Sequence, residues 1–135
     1  MFFRRHVDLY HCSQRKWVHG VHVAAAKAEI ERLKKLRVDD MAMLLMPMLG
    51  PDGFSKGYTV RVQQLCEELL RDYPGGKGMI ALQLSGRVIK ALQRLQHVDL
   101  VEPISIMRSP PWRITDIGRE ALEDGTVEKF VKVTG

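Results

Sequence analysis

The sequence predicts a mainly α fold with one small antiparallel β-hairpin (α+β), and three observations lead there. Apolar residues recur at helical spacing over residues 24–37, 59–73 and 86–97. Two short extended stretches, Glu102-Pro103-Ile104-Ser105-Ile106 and Trp112-Arg113-Ile114, flank a turn-forming segment from Met107 to Pro111. Thr115 then offers a side-chain cap, with Asp116 in the following turn to complement the helix dipole, and Ile117, Ala121 and Leu122 return an apolar face.

In chain order, residues 1–23 are readable in two ways. Val7-Asp8-Leu9-Tyr10 and Trp17-Val18-His19-Gly20-Val21 form a hairpin joined by Ser13-Gln14-Arg15-Lys16, the favoured expectation, or belong to a frayed helix. Residues 24–37, AAAKAEIERLKKLR, have high helix propensity and an apolar stripe of Ala26, Ile30, Leu33 and Leu36. That helix either pairs two copies of the chain or covers its own domain. Asp39 and Asp40 open a short Met-rich helix to Leu49, in which Met41, Met43, Met46 and Met48 read as flexible core filler. GPDGFSKGY is a loop by composition. Thr59 is expected to cap a helix of about 14 residues ending at Tyr73, with Val62, Leu65, Cys66 and Leu69 inward and Pro74-Gly75-Gly76 as its stop. Pro103 lacks an N–H, which assigns its strand to an edge or a bulge. The last residues, DGTVEKFVKVTG, are expected to be a docking strand or a loose tail. The expected organisation is an extension (1–38), a central domain (39–123) and a tail (124–135).

The candidate functional face lies on residues 86–97, GRVIKALQRLQH. At about 100° per residue, Val88, Ile89, Leu92 and Leu95 gather on one side and are expected to bury. Gly86, Arg87, Lys90, Gln93, Arg94 and His97 share an opposite arc of roughly 120° that contains no acid. The preceding helix, by contrast, mixes Glu67, Glu68, Arg71 and Asp72, as an ordinary solvated face does. Arg can clamp a phosphate or bind guanine O6 and N7, Gln can read adenine, and Lys and His can neutralise backbone charge. Ser85 opens this helix, Arg108 sits at the hairpin tip and Arg113 on its return strand. The Gly75-Gly76-Lys77-Gly78 stretch lacks the spacing and the Ser or Thr of a nucleotide-binding P-loop and reads as a plain loop, in which Lys77 is a further candidate contact to a DNA phosphate.

The strings SGRVIKALQRLQHVDLVE (residues 85–102) and WRITDIGREALE (residues 112–123) resemble the recognition helix, wing and closing helix of winged helix-turn-helix regulators of the MarR and PadR kind. The resemblance spans residues 41–122 and is a signature of fold. It implies a winged helix-turn-helix domain with an N-terminal helical extension, helix 86–97 in the major groove of double-stranded DNA, wing 104–114 on the backbone, and a homodimer on two half-sites. Winged-helix ribosomal proteins end in a similar way, which keeps RNA as an alternative partner. The segment 74–83 is long for a tight helix-turn-helix, and the wing is short and Pro-rich.

Composition is consistent with this expectation. The chain carries a net charge of +5, which favours a polyanionic partner. Lys and Arg outnumber acids nine to three over residues 1–37 and five to two over residues 81–115. Cys12 and Cys66 show no disulfide-framework spacing, and the longest apolar run, Met41 to Leu49, is broken by Pro47 and falls well short of a membrane span. A cytoplasmic protein without a membrane segment is expected. His11, Cys12, His19 and His22 do not form the paired motifs of a structural zinc site, so no metal is assigned. No cofactor is assigned either. No acid lies at a recognisable catalytic spacing from a His or Ser, so an enzyme is not expected. The competing functional class is a winged-helix protein interaction module that uses the same face or the Met-rich surface.

Overall fold

The computed structural model describes the backbone of residues 11–133 and the side chains of residues 23–132. The elements run α1 (His11–Lys34), α2 (Val38–Leu49), α3 (Val62–Leu69), a 3₁₀ turn (Ala81–Leu84), α4 (Ser85–His97), β1 (Val101–Pro103), β2 (Trp112–Ile114), α5 (Asp116–Asp124) and α6 (Val127–Val133). The fold is mainly helical with one small antiparallel sheet, as expected.

The N-terminal expectation changes. Trp17 to Val21 lies within helix α1, so the favoured hairpin does not form there; Val7 to Tyr10 lie outside the described residues. Ala26, Ile30 and Leu33 of the expected stripe are buried, with Leu36 packed beside them. The described part of α1 therefore spends its apolar face on its own chain.

Helix α2 starts with Asp39 and Asp40 in its first turn, where the exposed N–H dipoles favour negative charge. Met41 and Met46 are buried and Met43 and Met48 half-buried against the core, consistent with their reading as filler. Helix α3 is shorter than expected and Thr59 does not cap it. Val60 is instead bridged to β2: the Val60 and Trp112 amides each donate to the other's carbonyl at 2.8 Å. Extended backbone at Val60 postpones the helix to Val62. There the Gln64 side chain accepts from the Arg61 amide at 2.8 Å, half of a capping box, since Arg has no acceptor to complete it.

The long connection before α4 is partly ordered by burial. Ala81 and Leu84 are buried, which winds residues 81–84 into the 3₁₀ turn and feeds α4 directly. Ahead of it the Gly78 amide donates to Glu67 at 3.1 Å, anchoring the loop to α3.

β1 and β2 pair with Val101 opposite Ile114, Glu102 opposite Arg113 and Pro103 opposite Trp112. Because both main-chain groups of Trp112 are committed to Val60 on the other side, the position opposite needs no N–H donor. Pro103 therefore sits on an edge strand without breaking a ladder bond, as its sequence position required.

Thr115 caps α5 as expected: its hydroxyl oxygen accepts from the Gly118 amide at 3.0 Å and its O–H donates to the Asp99 carbonyl at 2.6 Å. One side chain thus ties the end of α4 to the start of α5. Gly125, at φ 67°, closes α5, and the Thr126 amide reaches back to the Ala121 carbonyl at 2.9 Å. The C-terminal segment is neither strand nor loose tail. It forms α6, whose Val127 and Val131 are buried in the same core as α1, α2 and α4.

Among the described glycines the closest approach is at Gly118. A Cβ there would lie 2.2 Å from the Leu100 carbonyl oxygen and 2.7 Å from Ile114 Cγ1. Gly118→Ala must push α5 off the hairpin, and chemical denaturation should show a loss of at least about 1–3 kcal/mol. A variant as stable as the parent would mean that α5 does not seat against Leu100.

Candidate functional site

Helix α4 lies with Val88, Ala91, Leu92 and Leu95 fully buried against α2, α3 and the hairpin. Their opposite side is open. Ile89, expected in the core, is 38 % exposed, and Ala91 takes the inward position instead. The outward face of α4, the N-terminal turn of α3 and the hairpin tip enclose an open cleft of about 700 Å³. Ser85, Ile89, Gln93 and Gln96 form its α4 wall; Arg61 and Gln63 come from α3, and Ser105, Ile106 and Arg108 from the hairpin. Among the described side chains no acid lines it.

Of the residues expected from sequence, Ser85, Gln93 and Arg108 meet in this cleft. Arg87 and Lys90 are exposed, but they occupy the other flank of α4 and do not line it. His97 is exposed at the far end of the helix, beside Val98, Lys129 and Phe130. Lys77 is exposed on the loop next to Glu67 and also lies outside the cleft.

Ion pairs change the setting of two of the expected residues. Arg94 points inward: its side chain is 17 % exposed, Nη2 donates to the Val131 carbonyl at 2.5 Å, and Nε lies 3.4 Å from Asp39 Oδ1. The wheel of α4 alone placed it on the solvent arc, but the start of α2 and the end of α6 cover that edge. Arg113 is paired with Glu102 at 2.8 Å, on the opposite side of the hairpin from the cleft, near Thr59 and Arg119. Its charge is already compensated.

The cleft also contains Ile89, Gln96, Arg61 and Gln63, which sequence reading did not place in the site. Ile89, Gln93 and Gln96 share a ridge with Ser85 because spacings of three, four and eleven residues return to one side of a helix. Arg61 was hidden in the helix assigned from Thr59, although the alternation Val60-Arg61-Val62 is itself a strand signal. Among the described side chains Arg61, Arg87, Lys90 and Arg108 make no ion pair.

The titratable groups offer little for acid–base chemistry. The Gly78 amide and the Gln63 side chain hold the Glu67 carboxyl below its usual range. Burial, reinforced by the neighbouring Glu67 charge, pushes the Cys66 thiol up to about 12, leaving it protonated and unreactive at neutral pH. Among the described side chains no group of three or more His, Cys, Asp or Glu is placed to hold a metal ion; those of His11, Cys12, His19 and His22 lie outside this set. No helix among the described residues is long and apolar enough to cross a membrane.

The arrangement is a concave, acid-free surface with neutral hydrogen-bonding groups on its helical wall and a guanidinium on each of the α3 and hairpin sides. Comparison with family models, curated proteins and solved structures yields no match to this chain. The geometry alone therefore carries the functional interpretation.

The two cations of α4 that differ most in setting are separable by stability. Arg94→Ala leaves Asp39 and the Val131 carbonyl without their partner and should cost about 1–3 kcal/mol in urea denaturation. Lys90→Ala, on an open flank, should stay within about 0.5 kcal/mol of the parent. Equal small effects would return Arg94 to the solvent face.

Proposed function

We propose that the chain is a winged helix-turn-helix protein that binds double-stranded DNA sequence-specifically, as a transcriptional regulator, with α4 in the major groove and the hairpin against the adjacent backbone. The order α2, Val60 bridge, α3, α4, β1, β2 supports this topology, with α3 as positioning helix and the 104–111 loop as wing. The observation that carries the proposal is the cleft itself: the outward face of α4 and the basic hairpin tip share one concavity without an acid among the described side chains, where Arg61 and Arg108 make no ion pair.

In this reading α4 lies in the major groove and the hairpin tip rests on the adjoining sugar-phosphate strand. Arg61 and Arg108 then contact its phosphates, Arg87 and Lys90 contact the strand across the groove, and Ser85, Gln93 and Gln96 present hydrogen-bonding groups to base edges. Arg94 and Arg113 leave the contact set because their charges serve the fold, and His97 and Lys77 lie outside the cleft. The role assigned is binding, with no catalytic step. One observation favours a second reading as a protein interaction module: Ile106 is fully exposed and Met107 half-exposed at the hairpin tip.

Titration of a random-sequence duplex across a salt series separates the two. DNA binding predicts that log K falls with log salt by about 0.9 for each phosphate neutralised, and that the double variant Arg61→Ala/Arg108→Ala weakens binding and flattens that slope by about two. No duplex affinity at moderate salt would favour the protein partner. Preference for a structured RNA competitor would redirect the proposal to RNA.

A further inference from the structure

We infer that Ile89 and Gln93 read an A·T step, Ile89 against a thymine methyl and Gln93 against an adenine edge, with Gly86 as the point of closest helix approach; this rests on the DNA reading above. The three residues succeed one another along the outward ridge of α4 at spacings of three and four, spanning about 10 Å of helix, the rise of roughly three base pairs.

Each position is unexplained by the fold. Val88, Ala91, Leu92 and Leu95 satisfy the core, while Ile89 presents more than a third of its surface to the cleft beside Gln93 and Gln96. One exposed isoleucine is ordinary by itself. Here it stands on the wall of an acid-free cleft, next to the side chain best suited to adenine. Gly86 lies inside a regular helix without a positive φ, and a Cβ built on it meets nothing within 4 Å. Neither backbone conformation nor packing requires glycine, and alanine would favour the helix. A bare backbone at this point leaves room for another molecule to close on the first turn of α4, the part of a recognition helix that meets base edges.

The chemistry of the ridge selects the base pair. Guanine is read most effectively by an arginine or lysine aimed at O6 and N7. Arg94 is held by Asp39 and the Val131 carbonyl, and Arg87 and Lys90 sit on the other flank. What remains on the α4 wall of the cleft is Ser85, the two amides of Gln93 and Gln96, which match adenine N6 and N7, and one branched apolar group, Ile89, which matches the thymine C5-methyl.

The experiment selects bound sequences from a random duplex library with the full chain at near-physiological salt. The enriched duplexes are then resynthesised with deoxyuridine in place of thymidine, which removes only the methyl. The parent chain should lose about fourfold in affinity, the worth of one buried methyl. Ile89→Ala should bind both duplexes alike, Ile89→Val should keep a difference, and Gln93→Ala should lower the preference for adenine at one position. Gly86→Ala should raise the melting temperature while weakening binding, opposite signs that a purely structural glycine would not give. Duplex binding by the parent with no response to methyl removal, or an unchanged thymine-to-uracil ratio in Ile89→Ala, would overturn the assignment and leave DNA binding standing. Failure to enrich any duplex would overturn both.

Discussion

The burial of one face of α4 is the constraint on which the rest of the structure depends. Val88, Ala91, Leu92 and Leu95 are each fully withdrawn from solvent, and α2 supplies the main opposing surface with Met41, Leu45 and Met46. Each such side chain gains about 1.5–3 kcal/mol relative to exposure. With that face fixed, the rotation of α4 is fixed, and so are the identities of the side chains it presents outward. The hairpin is placed by a second, smaller constraint. Trp112 pairs through its backbone with Val60 just before α3, and Thr115 bridges the end of α4 to the start of α5. Together these contacts set the two walls of the cleft against each other.

Electrostatics divides the cations into two groups. Asp39 and Asp40, in the first turn of α2, draw Arg94 from α4 and Lys132 from α6, so one acidic turn binds together three helices. The Arg113–Glu102 pair does the same across the hairpin. Cations left outside such pairs, Arg61 and Arg108 among them, retain their full charge for an external anion. A basic composition therefore says less about a partner than the subset of cations the fold does not use.

Much of the architecture was legible in the sequence because it is written locally. The Thr115 cap, the apolar stripe of Ala26, Ile30 and Leu33, and the edge position of Pro103 all follow from a few adjacent residues. What was not legible depended on partners distant in sequence. Val60 pairs with a residue 52 positions later, so Thr59 looked like a cap when its neighbour was committed to a sheet. Arg94 appeared solvated on a wheel of its own helix because its partners, Asp39 and the Val131 carbonyl, come from opposite ends of the chain. Ile89 was assigned to the core because a wheel gathers it with Val88, Leu92 and Leu95, but it stands at the edge of that arc and Ala91 turns inward instead. The C-terminal helix was missed because its alternation of Val127, Phe130, Val131 and Val133 is short enough to fit strand or helix. Of the candidate site, Ser85, Gln93 and the hairpin Arg108 were visible; Ile89 and Gln96 of α4, and Arg61 and Gln63 from the start of α3, were not.

The central claim is that the outward face of α4 and the hairpin tip act as a single duplex-binding surface. Amide chemical-shift mapping of the isotopically labelled chain during titration with duplex DNA tests it most directly. The shifts should concentrate at Arg61, Ser85, Gly86, Ile89, Gln93 and residues 105–109, and leave the amides of Arg113, Arg119 and Lys129 nearly unchanged. Shifts confined to the face around His97, Val98 and Lys129, or no saturable shifts at all, would contradict it.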